Sequence, residues 1–158
     1  MPQHIAQLNL ARLRAALDAH CMAGFLDGLQ RVNAAADAHP GFVWRLKSAE
    51  GNALAFQPLG PEIVVNLSVW RDLESFCAYV YAGAHRDYLR RRREWFVPMT
   101  APHVVLWQIA AGHRPTLDEA LSMHRRYLAD GASPGLFGQR ELAGLRTTGL
   151  APTPALGV

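Results

Sequence analysis

Apolar and polar positions follow two different periods along the chain, one typical of strands and one typical of helices. Alternation with a period of two, or enrichment in β-branched and aromatic residues, predicts strands over residues 4–12, 41–46, 62–70 and 103–110. Between them, apolar residues recur three and four positions apart, which predicts helices over residues 22–32 and 72–95. The predicted order is therefore β-α-β-β-α-β.

Local residue types place the ends of these elements. The His-Pro-Gly sequence at residues 39–41 cannot continue a helix and ends the first one. Asp72 is a suitable N-cap, because its carboxylate can accept hydrogen bonds from the free backbone N–H groups of the first turn. Thr116 and Glu119 fit a capping box, in which each side chain satisfies the other's backbone donor. A third helix is therefore expected over residues 117–128.

This order predicts an α+β fold of the ferredoxin-like type, an antiparallel sheet with helices on one face and an extra C-terminal helix. The other face of such a sheet must also be buried. The sequence offers no further element to cover it. We therefore expect a homodimer in which two copies pack sheet to sheet.

The bulk composition is that of one folded domain. The 158 residues are half hydrophobic and 18% charged, which is typical of globular rather than disordered chains. We expect the domain over residues 1–146 and a flexible C-terminal tail over residues 147–158, where apolar periodicity ends. No apolar run approaches the roughly 20 residues that a membrane span needs. We therefore expect a cytoplasmic protein with no membrane partner, since the N-terminus also lacks the features of a signal peptide.

The net charge of +3 includes one run of four arginines, Arg90, Arg91, Arg92 and Arg93. Successive residues of a helix point in different directions, so only part of this run could follow one phosphate backbone. We interpret the run as a solvated helix end, whose cations interact favourably with the helix dipole. Nucleic acid is not an expected partner, and the role of the four arginines is left open.

Strand alternation places several polar side chains on one face of the sheet. If the strand registers agree, the polar residues gathered there are Gln7, Asn9, Arg45, Asn66, Ser68 and Gln108. The same alternation puts Phe42 with Trp44 on the apolar face and Trp70 on the polar one. Buried amides and hydroxyls cost free energy unless they are paired. The cluster therefore indicates either a hydrogen-bond network or a wet cavity.

His85 lies at the edge of the apolar stripe of the second helix, four residues after Tyr81. It is therefore expected to point at the sheet. A histidine there can act as a general base or as a ligand of a metal porphyrin. The alternative is a core histidine satisfied by a single backbone or amide partner.

Other chemistries find little support in the sequence. No two histidines have the i, i+4 spacing of a helical metal site, so no metal is expected apart from haem iron at His85. The sequence also contains no glycine-rich phosphate loop and no nucleophile elbow. Standard hydrolase and nucleotide chemistries are therefore disfavoured.

Several separated motifs resemble one bacterial family, catalogued as domain of unknown function 3291. They are HIAQLN, GFVWRL, VNLSVW, VY-x-x-x-H-x-x-x-LRRRREWF and VLW-x-x-x-AGHRPT, and they span residues 4 to about 128. The resemblance implies a dimeric α/β barrel, which agrees with the element order. It implies no established activity.

The layout is more distantly similar to antibiotic-biosynthesis and haem-degrading monooxygenases. In those enzymes an asparagine of the first strand and a histidine of the second long helix are functional, and Asn9 and His85 occupy matching places. The resemblance therefore implies catalytic roles for Asn9 and His85. The tryptophan that haem-degrading relatives carry in that helix has no counterpart here, where Tyr79 or Tyr81 stands instead, and this disfavours haem breakdown.

These observations give one leading hypothesis and two alternatives. The leading one is a monooxygenase-like enzyme that acts on an apolar or aromatic small molecule and requires no cofactor. The residues expected to bind the substrate are Arg45, Asn66, Ser68, Trp70, Tyr81 and Gln108. The alternatives are a haem protein with His85 as axial ligand and a dimeric module that binds a small molecule without changing it.

Overall fold

The computed structural model describes residues 1–147, in which six strands form one antiparallel sheet. The strands are β1 (Gln3–Leu13), β2 (Phe42–Arg45), β3 (Ile63–Trp70), β4 (Phe96–Val97), β5 (Val104–Ala110) and β6 (Leu136–Gly138). Their order is β2-β3-β1-β5-β6, and β4 pairs with the end of β1. The strands β2, β3, β1 and β5 have the order of a ferredoxin-like sheet, which confirms the predicted α+β class.

Six helices and one 3-10 turn (His20–Met22) complete the described chain. The helices are α1 (Ala23–Asp37), α2 (Leu73–Val80), α3 (Gly83–Arg90), α4 (Arg92–Trp95), α5 (Leu117–Asp130) and α6 (Gln139–Thr147). No helix within this range is long and apolar enough to cross a membrane.

Both predicted N-caps are present, but the capping box predicted at the second one forms only in part. Asp72 accepts a hydrogen bond of 2.7 Å from the backbone N–H of Ser75, so it caps α2 as predicted. Thr116 accepts one of 3.1 Å from the N–H of Glu119. The Glu119 carboxylate, however, accepts from Trp107 Nε1 at 3.3 Å and lies 2.8 Å from His113 Nε2. Only half of the predicted capping box is therefore present.

The predicted single helix over residues 72–95 is wrong, because the chain breaks it into α2, α3 and α4. Ala82 is extended, with φ −134° and ψ 166°, and Gly83 has φ +54°. Glycine adopts this left-handed region without the steric penalty that a Cβ brings. His85 consequently lies in the first turn of α3 and not in the middle of a continuous stripe.

A bulge in β2 changes which of its side chains lie on the same face of the sheet. Phe42 pairs with Trp70, whereas Trp44 pairs with the neighbouring Val69, so β2 contains one extra residue at this point. Phe42 therefore shares a face with Trp70 and contacts its ring edge-on, with centroids 5.5 Å apart. Its predicted placement beside Trp44 is wrong.

The apolar face of the sheet is covered by this chain itself. Its strand residues, such as Leu8, Leu67 and Val105, are at most 1% exposed. They pack in one cluster with Leu121 and Tyr127 of α5. The expectation that nothing in the chain covers this face is wrong. The predicted sheet-to-sheet packing of two copies therefore loses its physical reason.

The C-terminal part contains structure that the sequence analysis does not predict. After α5 the chain adds β6 to the sheet edge, and α6 follows at once. Glu141 of α6 accepts hydrogen bonds from the Gly138 N–H at 2.9 Å and from the Tyr127 hydroxyl at 2.8 Å, which ties the segment to α5. The predicted flexible tail, apart from Thr147, lies outside the described residues.

Candidate functional site

A cavity of about 560 Å³ lies between the polar face of the sheet and helices α1 to α3. The predicted site residues that line it are Asn9, Arg45, Asn66, Ser68, Trp70, Tyr81 and His85. Gln108 is not among the lining residues. Its strand, β5, contributes only Val104 to the lining, and the Gln108 side chain lies against Gly135, where an added Cβ would come within 3.1 Å of its Oε1.

Two of the polar side chains form a hydrogen-bond network with Gln7. Gln7 and Ser68 lie directly opposite each other on β1 and β3. The Ser68 hydroxyl donates to Gln7 Oε1 at 2.9 Å and accepts from Trp70 Nε1 at 3.0 Å. The Ser68 hydroxyl proton is thus already bound within the protein. Ser68 and Trp70 build the wall of the cavity, and this part of the polar face is the predicted network.

Arg45 is engaged by partners from α1 and a loop. Its Nε and Nη2 donate to the two carboxylate oxygens of Asp37 at 2.8 and 3.1 Å, and Nη1 donates to the Gly51 carbonyl at 2.7 Å. The hydrogen bonds from Arg45 lower the pKa of Asp37 below its usual range. The positive charge of Arg45 is therefore balanced, and the pair joins the end of α1 to β2.

Asn9 and Asn66 present amides to the cavity. They are directly opposite each other in the β1–β3 register, Asn9 half-buried and Asn66 exposed. Within residues 1–147 neither side-chain amide has a hydrogen-bond partner in the protein. An amide can donate through its NH₂ group or accept through its oxygen. These two side chains can therefore bind a polar group of a ligand.

The orientation of His85 follows from the break between α2 and α3. Val80 is the last residue of α2, so its carbonyl has no partner from a following helical turn. That carbonyl lies 2.9 Å from His85 Nδ1. Because a carbonyl oxygen only accepts, Nδ1 must carry the proton, and Nε2 is left as the basic nitrogen.

Burial keeps this imidazole neutral. Desolvation lowers the pKa of His85 below its ordinary value of 6.5, and the bond to Val80 opposes this only in part. The ring also packs on Tyr79, with centroids 5.0 Å apart. His85 is thus a neutral base of fixed tautomer on the wall of a largely apolar cavity.

Two tyrosines that the sequence analysis does not select complete the aromatic wall. Tyr79 stacks on Trp70 with centroids 4.8 Å apart, and its hydroxyl donates to the Val32 carbonyl at 2.8 Å. Tyr88 donates to the Phe25 carbonyl at 2.9 Å. Burial raises the pKa of both phenols, so they stay neutral. These bonds fix α2 and α3 against α1. The three-and-four spacing of Cys77, Tyr81 and Ala84 could have pointed to Tyr88, whereas Tyr79 lies off that stripe.

The charged lining residues are another feature that the sequence analysis misses. Arg92 and Arg93 of α4 line the cavity, although the arginine run is interpreted above as a solvated helix end. No aspartate or glutamate is found among the lining residues of the described chain. The cavity therefore has a positive electrostatic bias. The helical spacing could not reveal this, because α4 is a separate short helix.

The sheet order and the cavity, which is open to solvent, define a ferredoxin-like α+β protein with space for a small ligand. Residues 4–148 match the family described as Domain of unknown function (DUF3291). The chain therefore belongs to this family, which confirms the resemblance found in its motifs.

Solved structures of similar fold come from several bacteria. SnoaB, a cofactor-independent oxygenase from Streptomyces nogalater, is 19% identical, with a TM-score of 0.45 over 74% of this chain and 99% of that one. A candidate antibiotic biosynthesis monooxygenase from Chloroflexus aurantiacus is 13% identical, with a TM-score of 0.45 over 72% and 98%. A protein from Shewanella oneidensis is 12% identical, with a TM-score of 0.49 over 69% and 93%. No curated protein sequence matches significantly.

Proposed function

We propose that this protein is a monooxygenase-like enzyme that acts on an apolar or aromatic small molecule held between the sheet and helices α1 to α3. The observation that carries the proposal is the anchored imidazole of His85. Its Nδ1–H is bound by the Val80 carbonyl, and its Nε2 is left as a base on the wall of the cavity. The cavity that His85 lines is also lined by Asn9 and Asn66, whose amides are unpaired within residues 1–147, and this favours a binding site over a core histidine satisfied by one backbone partner.

The proposed reaction begins with proton transfer to His85. Nε2 accepts a proton from an acidic C–H or O–H group of the substrate, and the negative charge develops on a substrate oxygen. The amide N–H groups of Asn9 and Asn66 stabilise that oxyanion by hydrogen bonds. A carbon of the resulting anion forms a bond to dioxygen, and the peroxide takes the proton back from His85 to give a hydroperoxide. Loss of water from the hydroperoxide breaks its O–O bond and a C–H bond, so one oxygen atom stays in the product as a carbonyl, the other leaves as water, and the substrate supplies all the electrons. Arg45 has a smaller role than the sequence suggests, since Asp37 and Gly51 already engage it.

The proposal is tested by oxygen uptake with a panel of acidic aromatic compounds. His85→Ala should lower turnover of any accepted substrate by about 100-fold or more, the usual contribution of a general base. His20→Ala is the matched control, because His20 is exposed in the 3-10 turn outside the cavity. Unchanged turnover in His85→Ala, with the fold verified by circular dichroism, would contradict the proposed role.

The same orientation of His85 also fits the haem alternative. A histidine that donates Nδ1–H to a carbonyl while Nε2 is free has the arrangement used by metal-ligating histidines. His85 would hold the iron, and bound haem would supply iron-centred oxygen chemistry. Titration with hemin should then give a saturable Soret band that is lost in His85→Ala. A band of equal intensity in both proteins would exclude axial ligation by His85.

Catalysis, dimerisation and cytoplasmic location stay predictions. A compound that binds in the cavity and is recovered intact under air would favour the non-catalytic ligand-binding module. Sheet-to-sheet packing would require α5 to leave the apolar face, so a dimer that keeps this fold would form through another surface. Sedimentation equilibrium measures whether such a dimer exists.

A further inference from the structure

The four consecutive arginines have different surroundings in the structure. Arg91 is paired within the protein: its guanidinium makes two hydrogen bonds to the Glu94 carboxylate, at 3.0 and 2.9 Å. It also lies over the Trp95 ring, 4.8 Å from the centroid. Arg90 is exposed and does not line the cavity. Arg92 and Arg93 are exposed and also line the cavity.

The segment that holds Arg92 and Arg93 is fixed. Trp95 of α4 is only 1% exposed and packs with Met22 and Phe25 in a separate core cluster. The backbone carbonyl of Arg93 accepts a hydrogen bond of 3.2 Å from Arg14 Nε. The side chain of Arg92 donates to the Leu89 carbonyl at 2.8 Å. The guanidinium of Arg92 is therefore held by the Leu89 carbonyl, and the backbone that carries the Arg93 side chain is fixed beside it.

In the described part of the chain their charge has no acidic counterpart. Within residues 1–147 no ion pair includes Arg92 or Arg93, and the cavity lining contains no carboxylate. Each of these cations is left without a counter-charge from the described residues, and an anion bound in the cavity would supply one. Guanidinium groups also bind carboxylate, sulfonate and phosphate groups through paired N–H donors.

We propose that the cavity takes an organic anion, with its apolar body against the aromatic wall and its anionic group bound by Arg92 and Arg93. The inference deepens the proposed function, because it places the ligand in the same cavity as His85. It does not depend on catalysis. The anionic group would fix the ligand at the solvent side and leave its body near the reacting nitrogen.

Two fluorescent probes of matched shape test this inference. Anilinonaphthalene sulfonate has an aromatic body and a sulfonate, and N-phenylnaphthylamine has the same body without the charge. The wild-type protein should bind the sulfonate more tightly than the neutral probe. The double variant Arg92→Gln, Arg93→Gln should weaken sulfonate binding by about tenfold or more. It should leave binding of the neutral probe unchanged.

Arg90→Gln is the control, because it removes a neighbouring charge that does not line the cavity. It should leave the affinity for both probes unchanged. Failure of the wild-type protein to bind the sulfonate more tightly would overturn the inference, as would an equal loss in Arg90→Gln and the double variant. His85→Ala should keep the preference for the sulfonate. If that preference is found but no compound is turned over, the anion site stands and the proposed oxygenase activity fails.

Discussion

At the scale of single residues, the protonation of His85 makes the proposed activity depend on pH. The base must be neutral to accept a proton, and burial lowers its pKa below 6.5. We therefore expect kcat/KM to be level at neutral pH and to fall on acidification, with a midpoint below 6.5 in a pH–rate profile. A midpoint above 6.5 would contradict the assignment.

The same depressed pKa affects stability, with the opposite sign to a salt-bridged histidine. Below 6.5 the unfolded chain binds a proton that half-buried His85 resists, so the free energy of unfolding falls as the pH is lowered through this range. Replacing His85 by alanine removes this contribution. The pH dependence of urea unfolding should then be shallower in the variant.

Some residue-level features could be predicted from the sequence and others could not. Strand alternation correctly places Asn9, Asn66 and Ser68 on one face, because the β1–β3 register leaves no shift between them. It fails for Phe42, because a bulge is a local irregularity without a period. The Asp37–Arg45 pair joins a helix end to a strand and depends on tertiary structure, which spacing along the chain does not encode.

At the scale of elements, the break between α2 and α3 depends on the backbone of Gly83. A Cβ added there would meet no atom within 4 Å, so Gly83→Ala introduces only the penalty of φ +54°. We expect a loss of about 1 kcal/mol in the free energy of unfolding. Urea denaturation measures it.

Gly144→Ala is the matched control for this prediction. A Cβ at Gly144 likewise meets nothing within 4 Å, but Gly144 lies within α6 without a positive φ. Alanine favours helix over glycine, so this change should be neutral or stabilising. Equal effects at the two positions would show that the backbone of Gly83 does not set the break.

The order of elements is the part of the fold that the sequence predicts best. Alternation and helical spacing are long and regular in β1, β3 and α1, so their positions are right to within a few residues. The break after Tyr81 is missed because the apolar spacing continues through it. β6 is missed because three residues among glycines are too short to show a period.

At the scale of the whole molecule, α5 should contribute strongly to stability. Leu121 is 8% exposed and packs in the cluster on the apolar face. Leu121→Ala should lower the free energy of unfolding by about 2–3 kcal/mol, the usual cost of truncating a buried leucine. Leu128→Ala is the control on the same helix, because Leu128 is 47% exposed. It should change stability by less than about 0.5 kcal/mol. Similar effects of the two changes would mean that α5 does not cover the sheet in solution.

The face of the sheet that α5 covers could not be predicted from the sequence. Its start and length follow from Thr116 and the apolar spacing, but neither tells which face of the sheet the helix covers. That choice is made by shape and packing among residues far apart in sequence. The prediction of a dimer starts from a sound premise, the need to bury the apolar face, but the chain meets this need with its own helix.

Strand β1 contributes side chains both to the core under α5 and to the cavity on the other face of the sheet. This double role restricts which changes its sequence can accept. Its even positions, such as Leu8, pack under α5, while Gln7 and Asn9 between them face the cavity. Inserting or deleting one residue within β1 would exchange the two sets, sending amides under α5 and leucines into the cavity. Evolution or design can therefore alter the cavity by replacing single odd-numbered residues, but not by sliding the strand.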